Sequence, residues 1–349
     1  MTTADHAGSV LVIDLDAIAA NWRALKDRVA PAEIAGVVKA NAYGLGVAPV
    51  ARALERAGCK TFFVSTLAEA RELKSALGNG TIFVLNPPPG IDPGGFIPVL
   101  NSLDEVRAWP KAKPAAVKFD TGMARRGLPK PEADAIPADF APVLVMSHLA
   151  CAEIPDHPLN EQQRAAFAAL RARWPRARAA LANSSGAFLP AAYHFDMVRA
   201  GAALYGVNPT PGRANPMRPV ATLRARIVQV RDVDPGTTVG YGAAHRFAKA
   251  ARVATVAVGY ADGYPRSLTN RGFGYIGEVR VPLVGRVSMD LASFDVTDAA
   301  GEARPGGFIE LIGPHATVDQ VADAAGTIGY EILTGLGRRY DRRYIGASG

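Results

Sequence analysis

The sequence has very little cysteine and no long apolar run, and each absence excludes a class of protein. Cys59 and Cys151 are the only thiols in 349 residues, too few for a disulfide framework or a cysteine zinc site. The first eight residues include Asp5 and His6 and resemble neither a signal peptide nor a transit segment. No apolar run approaches the ~20 residues that span a membrane. We therefore expect a cytoplasmic protein with no membrane partner.

The sequence also lacks a block of like charge and a recognisable ligand-binding signature. The net charge of +7 comes from 39 basic and 32 acidic residues, and because the two signs are interspersed, the pattern does not favour nucleic acid. The six histidines show no metal-ligand spacing. Gly44-Leu45-Gly46 lacks the third glycine of a dinucleotide fingerprint, and no Gly-Lys-Ser/Thr phosphate loop occurs. We expect neither nucleic acid nor metal as a partner.

What is present is an alternation of short apolar strands and helical patterns up to residue 220. Thr66 with Glu69, and Ser102 with Glu105, form capping boxes that open two of the helices. Eight strands alternating with helices predict a parallel (β/α)₈ barrel of the TIM type. The predicted strands are 34–39, 61–65, 81–85, 96–100, 115–120, 143–147, 179–183 and 195–200.

After Pro219 the pattern changes to strands without helices between them. Such strands are predicted over 224–233, 252–258, 278–284 and 293–296. We therefore expect two domains, a (β/α)₈ barrel over residues 1–220 and a mainly β domain over residues 221–349.

Polar residues stand at the carboxyl ends of the barrel strands, where barrels of this kind carry their chemistry. Lys39 ends the first strand, and a lysine there either reaches solvent or, with a lowered pKa, forms Schiff bases with carbonyl compounds. Ser184 and Gly201 follow the seventh and eighth strands, where such barrels often bind phosphate, although a helix cap and a turn explain them equally well. A phosphate site opposite a reactive lysine suits pyridoxal phosphate.

A series of ordered motifs runs along nearly the whole chain. They are residues 38–44 (VKANAYG), 118–123 (KFDTGM) with Arg125, 146–148 (MSH), 182–184 (ANS), 198–206 (VRAGAALYG), 240–242 (GYG), 259–264 (GYADGY) and 285–290 (GRVSMD). With these motifs the sequence resembles the bacterial alanine racemases. The resemblance implies a pyridoxal-phosphate enzyme built from this barrel and a C-terminal β domain.

The resemblance also implies a role for individual residues. Lys39 would bind the cofactor and act as one catalytic base, and Tyr241 would be the other. Lys118 matches a lysine that is carbamylated in several family members. The remaining implied contacts are Tyr43, His148, Ser184, Arg199, Gly201, Ala202 and Tyr330 for the cofactor, and Arg125, Met289, Tyr260 and Asp290 for the substrate.

In the family, the counterpart of Tyr241 belongs to a second subunit, so the resemblance implies a homodimer with shared active sites. Racemisation removes the α-proton from one face and returns it to the other, which requires two opposed bases. Arg199 matches the residue that hydrogen-bonds the pyridine nitrogen. Because a guanidinium keeps its proton, we expect Arg199 to disfavour transamination and decarboxylation.

The sequence departs from the commonest family pattern at three positions, Leu45, Ala200 and Ser288, none of which is a catalytic group. Arg199 argues against an amino-acid decarboxylase, and the second domain with Tyr241 argues against a non-catalytic pyridoxal-phosphate carrier. A broad-specificity or serine racemase on the same scaffold stays open. So does the choice between supplying D-alanine for peptidoglycan and serving alanine catabolism.

Overall fold

The computed structural model describes residues 8–88 and 90–346 of the chain. It divides into two compact units, one over Ile18–Arg218 and one that joins the chain up to Ala17 with the chain from Pro219 onward. Strand β1 (Ser9–Asp14) therefore belongs to the second unit. Within the described residues, no helix is both long and apolar enough to cross a membrane.

The first unit is built on a sheet of eight parallel strands. They are β2 (Glu33–Val37), β3 (Thr61–Val64), β4 (Thr81–Val84), β5 (Ile97–Leu100), β6 (Ala116–Lys118), β7 (Leu144–Met146), β8 (Arg178–Ala180) and β9 (Met197–Ala200). Their order is β8-β7-β6-β5-β4-β3-β2-β9. The ends of this order meet through N–H donation from Asp196 to Ala179 O and from Arg199 to Ala182 O, both at 3.0 Å. The predicted (β/α)₈ barrel is confirmed.

Helices alternate with these strands, and their starts follow the local sequence. The Asp14 carboxylate accepts from Ala17 N at 2.8 Å and opens the first helix. The capping box of Thr66 and Glu69 is present. In the second predicted box, the Ser102 hydroxyl accepts from Glu105 N as expected, but the Glu105 carboxylate accepts from Asn101 N at 2.6 Å, so only half of the box forms. The helices are Leu15–Val29, Val47–Ala57, Leu67–Ala76, Leu103–Ala108, Lys130–Asp134 and Pro158–Arg171.

The second unit is mainly β, as predicted. Its other strands are β10 (Ala221–Val233), β11 (Thr238–Val239), β12 (His245–Arg246), β13 (Ala251–Val256), β14 (Phe273–Ile276), β15 (Val279–Pro282), β16 (Ala292–Asp295), β17 (Phe308–Ile312) and β18 (Asp341–Ile345). The long strand β10 pairs antiparallel with β1, β13 and β17. Two helices, Val318–Ala325 and Gly329–Gly335, were not predicted.

Two features of this unit differ from the expectation. The expected division at residue 220 left β1 with the barrel, but β1 pairs antiparallel with β10 and parallel with β18, so both of its edges are satisfied in the β unit. The predicted strand over 278–284 is present as β15, but its hairpin partner β14 was not predicted. A turn at Gly277, whose φ is +54°, separates β14 from β15 and makes this segment one arm of a hairpin.

Candidate active site

Lys39 lies just beyond β2, at the start of a left-handed turn. The turn covers Lys39–Tyr43, and its last four residues all have φ between +52° and +55°. Residues other than glycine rarely adopt this conformation, and a run of four stores strain that the surroundings must support. Ala40 N donates to Glu69 Oε1 at 2.8 Å, and Asn41 Oδ1 accepts from Val47 N at 2.7 Å. Neighbouring helices therefore hold the backbone that carries Lys39.

Two lysines of the barrel have lowered pKa values. Burial lowers the pKa of Lys39, the charge of Arg125 lowers it further, and Glu69 acts in the opposite direction. Burial also lowers the pKa of Lys118 to about 8, with the charges of Arg199 and Arg125 next in importance. Both amines are thus shifted toward their neutral, nucleophilic forms.

Arg125 is the exposed cation of this group. It acts on the pKa values of both lysines, so it lies in the same part of the barrel. No carboxylate of the described residues makes an ion pair with it. Its neighbour Arg126 differs in this respect, since it pairs with Glu105 at 3.1 Å. Arg125 is therefore available to an anionic ligand.

Arg199, on β9, is a buried cation whose hydrogen bonds join three strands. Its terminal nitrogens donate to Ala180 O at 2.7 Å, Ser147 O at 2.6 Å and Leu181 O at 3.2 Å. One of them also lies 3.2 Å from His148 Nδ1. Since a guanidinium only donates, Nδ1 accepts and the His148 proton sits on Nε2. Arg199 Nε makes no hydrogen bond to any described residue.

The same cations keep His148 neutral. Burial lowers the pKa of His148 well below its usual value, and the charges of Arg199 and Lys118 add to this effect. Burial lowers the pKa of Arg199 to about 10, so the guanidinium is still protonated at neutral pH. The pair therefore presents a neutral imidazole beside a permanent cation.

Four of the predicted cofactor residues meet after β8 and β9. The Ser184 hydroxyl oxygen accepts from Gly201 N at 3.0 Å and from Ala203 N at 3.2 Å, which leaves its own proton to donate. The Tyr43 hydroxyl lies against Gly201, where a Cβ would overlap it. The buried Ala202 N–H makes no hydrogen bond among residues 8–88 and 90–346. A buried unpaired N–H is costly, and an anionic oxygen bound here would pair it.

The other predicted residues belong to the β unit. Tyr241 stands at the tip of the hairpin of β11 and β12, between Gly240 and Gly242, whose φ values are +72° and +69°. Its side chain is 71% exposed. Tyr330 lies in the helix Gly329–Gly335 and is also partly exposed.

Tyr260, Met289 and Asp290 are brought together in this unit by backbone hydrogen bonds. Tyr260 N donates to Ser288 O at 3.1 Å, and Ala261 N donates to Met289 O at 3.0 Å. The N–H of Met289 makes no hydrogen bond in the part of the chain that the structure describes. It is therefore a second available donor for an anionic ligand.

The sequence reasoning missed an ion-pair network beneath these residues. Arg339 pairs through Nη1 with Asp290 Oδ1 and through Nε with Asp262 Oδ1, both at 2.8 Å. Asp262 is buried and also accepts from Gly259 N at 2.9 Å. The motif around Tyr260 contains Asp262, but nothing local to the sequence indicates that Arg339 reaches it. Asp290 is thus held by Arg339.

The three departures from the family pattern fit their surroundings. Leu45 and Ala200 are fully buried, so apolar packing occupies these positions. Ser288 Oγ donates to Leu291 O at 2.7 Å, inside the loop that carries Met289. No group of three His, Cys, Asp or Glu side chains among the described residues could hold a metal ion.

Comparisons with known proteins cover almost the entire chain. The model of the alanine racemase N-terminal domain matches residues 13–209, and that of the C-terminal domain matches residues 220–344. An alanine racemase of Rhodospirillum rubrum is 52% identical over 363 aligned residues, which cover 98% of this chain and 97% of the relative. A relative from Mesorhizobium japonicum, named as a catabolic alanine racemase, is 48% identical, with 97% of this chain and 94% of the relative covered.

Solved structures agree with these matches. The alanine racemase of Bartonella henselae with covalently bound pyridoxal phosphate superposes with a TM-score of 0.92 at 40% identity, covering 97% of this chain and 100% of that one. The biosynthetic alanine racemase of Pseudomonas aeruginosa gives a TM-score of 0.89 at 32% identity, covering 97% and 99%.

Proposed function

This chain belongs to the alanine racemase family, and we propose that it interconverts L- and D-alanine with Lys39 and Tyr241 as its two bases. It is a pyridoxal-phosphate-dependent enzyme. The observation that carries the two-base proposal is the lowered pKa of Lys39, caused by burial and by Arg125, on a backbone held in a strained turn. An amine with a lowered pKa at the end of a barrel strand is suited to bind a carbonyl compound and to accept a proton.

The residues of the barrel fit the cofactor. When bound, pyridoxal phosphate supplies an aldehyde for a covalent bond to an amine and a ring that withdraws electrons from the α-carbon. Lys39 would make the covalent bond, while the unpaired Ala202 N–H and the Ser184 hydroxyl would donate to the phosphate. Tyr43 and Gly201 line the same place, and we assign Tyr330 to the phosphate as well.

Arg199 and His148 would face the ring. The Nε of Arg199 has no partner among the described residues and would donate to the ring nitrogen. Since the pKa of Arg199 stays near 10, the guanidinium gives up no proton at neutral pH. Arg199 would thus hold the ring without protonating it, which limits side reactions that need a more strongly electron-withdrawing ring.

Proton transfer on two faces requires Lys39 and Tyr241 on opposite sides of the substrate. We propose that Tyr241 comes from the other subunit of a homodimer, together with Tyr260, Met289 and Asp290. The exposure of three large side chains supports this proposal: Tyr241 is 71%, Met289 54% and Tyr260 43% exposed. Exposed apolar side chains grouped on one surface mark interaction sites.

The substrate carboxylate would be bound by Arg125, which makes no ion pair with a described carboxylate, and by the Met289 N–H, which makes no hydrogen bond among the described residues. We further propose that Lys118 is carbamylated. With a pKa of about 8, its neutral amine can attack CO₂ and release a proton to water. The resulting carbamate would place a negative charge among Arg125, Arg126 and Arg199, which otherwise repel one another. Intact-mass measurement of the peptide that contains Lys118 tests this.

The assignment of the bases is tested with a chiral assay on L-alanine, L-serine and L-lysine. We expect wild type to racemise alanine, Tyr241→Phe to lose most of this activity, and Tyr275→Phe, a tyrosine of the same unit outside the site, to retain it. Lys39→Ala should also lose the visible absorbance of the bound cofactor. A Tyr241→Phe enzyme as fast as wild type would refute the two-base assignment. Faster turnover of serine than alanine would instead identify a serine racemase.

Shared sites have their own test. Homodimers of Lys39→Ala or of Tyr241→Phe have a defect in every site, but a mixed dimer has both defects in one site and none in the other. Refolding the two variants together in equal amounts should therefore restore about a quarter of wild-type activity. If no activity returns although mixed dimers form, Tyr241 acts within its own chain.

Growth of a deletion strain with and without D-alanine separates a biosynthetic from a catabolic role.

A further inference from the structure

Tyr241 sits on a support that is weak by itself. The two strands beside it, β11 and β12, have two residues each and pair Thr238 with Arg246 and Val239 with His245. Backbone hydrogen bonds of Phe247 with Gly236 and Thr237 extend this pairing at the base of the hairpin, away from Tyr241. An isolated hairpin of this kind is marginally stable at best. The Tyr241 side chain is largely exposed and adds little packing. Something outside the hairpin must therefore hold its tip in place.

Asn270 supplies this connection. Its Nδ2 donates to Ala244 O at 2.8 Å, in the tip that carries Tyr241. Its Oδ1 accepts from Gly285 N at 2.7 Å, at the start of the loop that carries Met289. A single side chain thus bonds to both of the segments that bear these residues.

The backbone at Asn270 is itself fixed. Leu268 is buried, and its carbonyl accepts from Arg271 N at 2.8 Å and from Gly272 N at 2.7 Å. This turn leaves Asn270 with a φ of +54°, a conformation that asparagine tolerates better than most residues. The preceding Thr269 also accepts from Val287 N at 3.4 Å. The amide therefore projects from a rigid turn.

Close contacts at two glycines join the two segments next to this amide. A Cβ at Gly285 would lie 2.9 Å from Val239 O, and a Cβ at Gly242 would lie 3.2 Å from the Arg286 guanidinium carbon. The contacts set how near the segments approach, but they are not directional. The hydrogen bonds of Asn270 add direction, because each requires its donor and acceptor to be aligned.

We propose that Asn270 is a positioning residue that fixes Tyr241 relative to Met289. This inference rests on the proposed function, in which Tyr241 is a base and Met289 binds the substrate carboxylate. Asn270 bonds to Ala244 and Gly285 and would act through the segments that carry Tyr241 and Met289. Displacing a catalytic group by about 1 Å can cost on the order of a hundredfold in rate, so the loss of one such hydrogen bond is measurable.

Asn270→Asp is the most informative variant. Aspartate keeps the shape, tolerates the positive φ and still accepts from Gly285 N, but it cannot donate to Ala244 O. It therefore keeps the bond to Gly285 and replaces the bond to the hairpin tip by repulsion between two oxygens. Asn79→Asp is the control, because it makes the same charge change at an exposed asparagine whose side chain makes no hydrogen bond within the described chain. If Asn270→Asp does not fold, Asn270→Gly relieves the backbone and removes both bonds.

The measurement compares two rates in D₂O for the alanine enantiomer whose α-proton Lys39 removes. One rate is exchange of the α-proton with retention, which needs Lys39 only, and the other is inversion, which also needs Tyr241. We expect Asn270→Asp to lower inversion about tenfold while exchange stays near wild type. A purely structural role would lower both rates together and leave their ratio unchanged.

The Tyr241→Phe enzyme serves as the reference. If Tyr241→Phe raises the ratio of exchange to inversion and Asn270→Asp does not, the positioning role is overturned and the proposed function stands. If Tyr241→Phe inverts alanine as fast as wild type, the proposed function itself fails. A raised ratio in both variants, with Asn79→Asp unchanged, supports the positioning role.

Discussion

Replacing Gly201 by alanine tests how closely the barrel is built around the proposed phosphate site. The φ of Gly201 is −125°, so alanine causes no left-handed strain there. The obstacle is Tyr43: a Cβ would lie 3.0 Å from its Cζ and overlap its hydroxyl oxygen, whereas ordinary contact begins near 3.4 Å. The substitution therefore forces the Tyr43 ring to move.

The ring has little room to retreat. It packs against Tyr205 with ring centroids 4.7 Å apart, and Tyr205 is itself buried and hydrogen-bonded to Val37 O at 2.9 Å. Overpacking of this kind costs about 1 to 3 kcal/mol. We expect the apoprotein to lose about that much unfolding free energy. If the displaced ring also disturbs the phosphate site, cofactor binding weakens roughly 5- to 150-fold.

Thermal and chemical unfolding of the apoprotein measure the first effect, and titration with pyridoxal phosphate measures the second. Gly301→Ala is the control, because nothing lies within 4 Å of a Cβ there and its φ is not positive. Adding Tyr43→Phe to Gly201→Ala removes the overlapping oxygen and should restore part of the lost stability. Wild-type stability in Gly201→Ala, or no recovery in the double variant, would refute the reasoning.

Two further substitutions concern the buried cations. The pKa of Lys118 is about 8 in the folded protein, below its unfolded value of 10.5. The partly buried ammonium group therefore destabilises the folded protein fully below pH 8, and this destabilisation disappears as pH rises through 10.5. In CO₂-free buffer, where the Lys118 amine is not carbamylated, Lys118→Met should raise the unfolding free energy of the apoprotein at pH 7 by about 2 kcal/mol and flatten the rise of that free energy over pH 8 to 10.5; an unchanged pH profile would contradict this. Arg199→Lys should cost about 2 to 4 kcal/mol in denaturant unfolding, since the three donors of an ammonium sit on one atom and cannot replace those of two separate guanidinium nitrogens. Arg213→Lys, at an exposed site, should be neutral, and equal stabilities would show that the Arg199 network contributes little.

Much of the barrel could be predicted because its signals are local. Short buried strands separated by helical periodicity, and the capping box of Thr66 with Glu69, depend on residues a few positions apart. The position of Lys39 just after a strand follows from the same local pattern. The strand predicted over 278–284 is observed as β15, but its partner β14, joined to it by the turn at Gly277 with φ +54°, was not predicted.

Other features depend on residues that are far apart in the chain. Strand β1 joins β10 and β18 across more than two hundred positions, and no local pattern specifies its partner. Glu69 was predicted as a helix cap, but its bond to Ala40 N, which supports the turn of Lys39, is visible only in three dimensions.

The amino-acid sequence by itself therefore indicated the fold class, the family and the residue types of the site. Strand and helix periodicity and short ordered motifs depend on residues that are close together in the sequence. The tertiary structure decided which groups share an environment. Lys39 and Lys118 have lowered pKa values because burial and Arg125 act on both, and Asn270 reaches Ala244 and Gly285 because the turn between them folds back. Desolvation, charge proximity and hydrogen-bond direction are properties of positions in space.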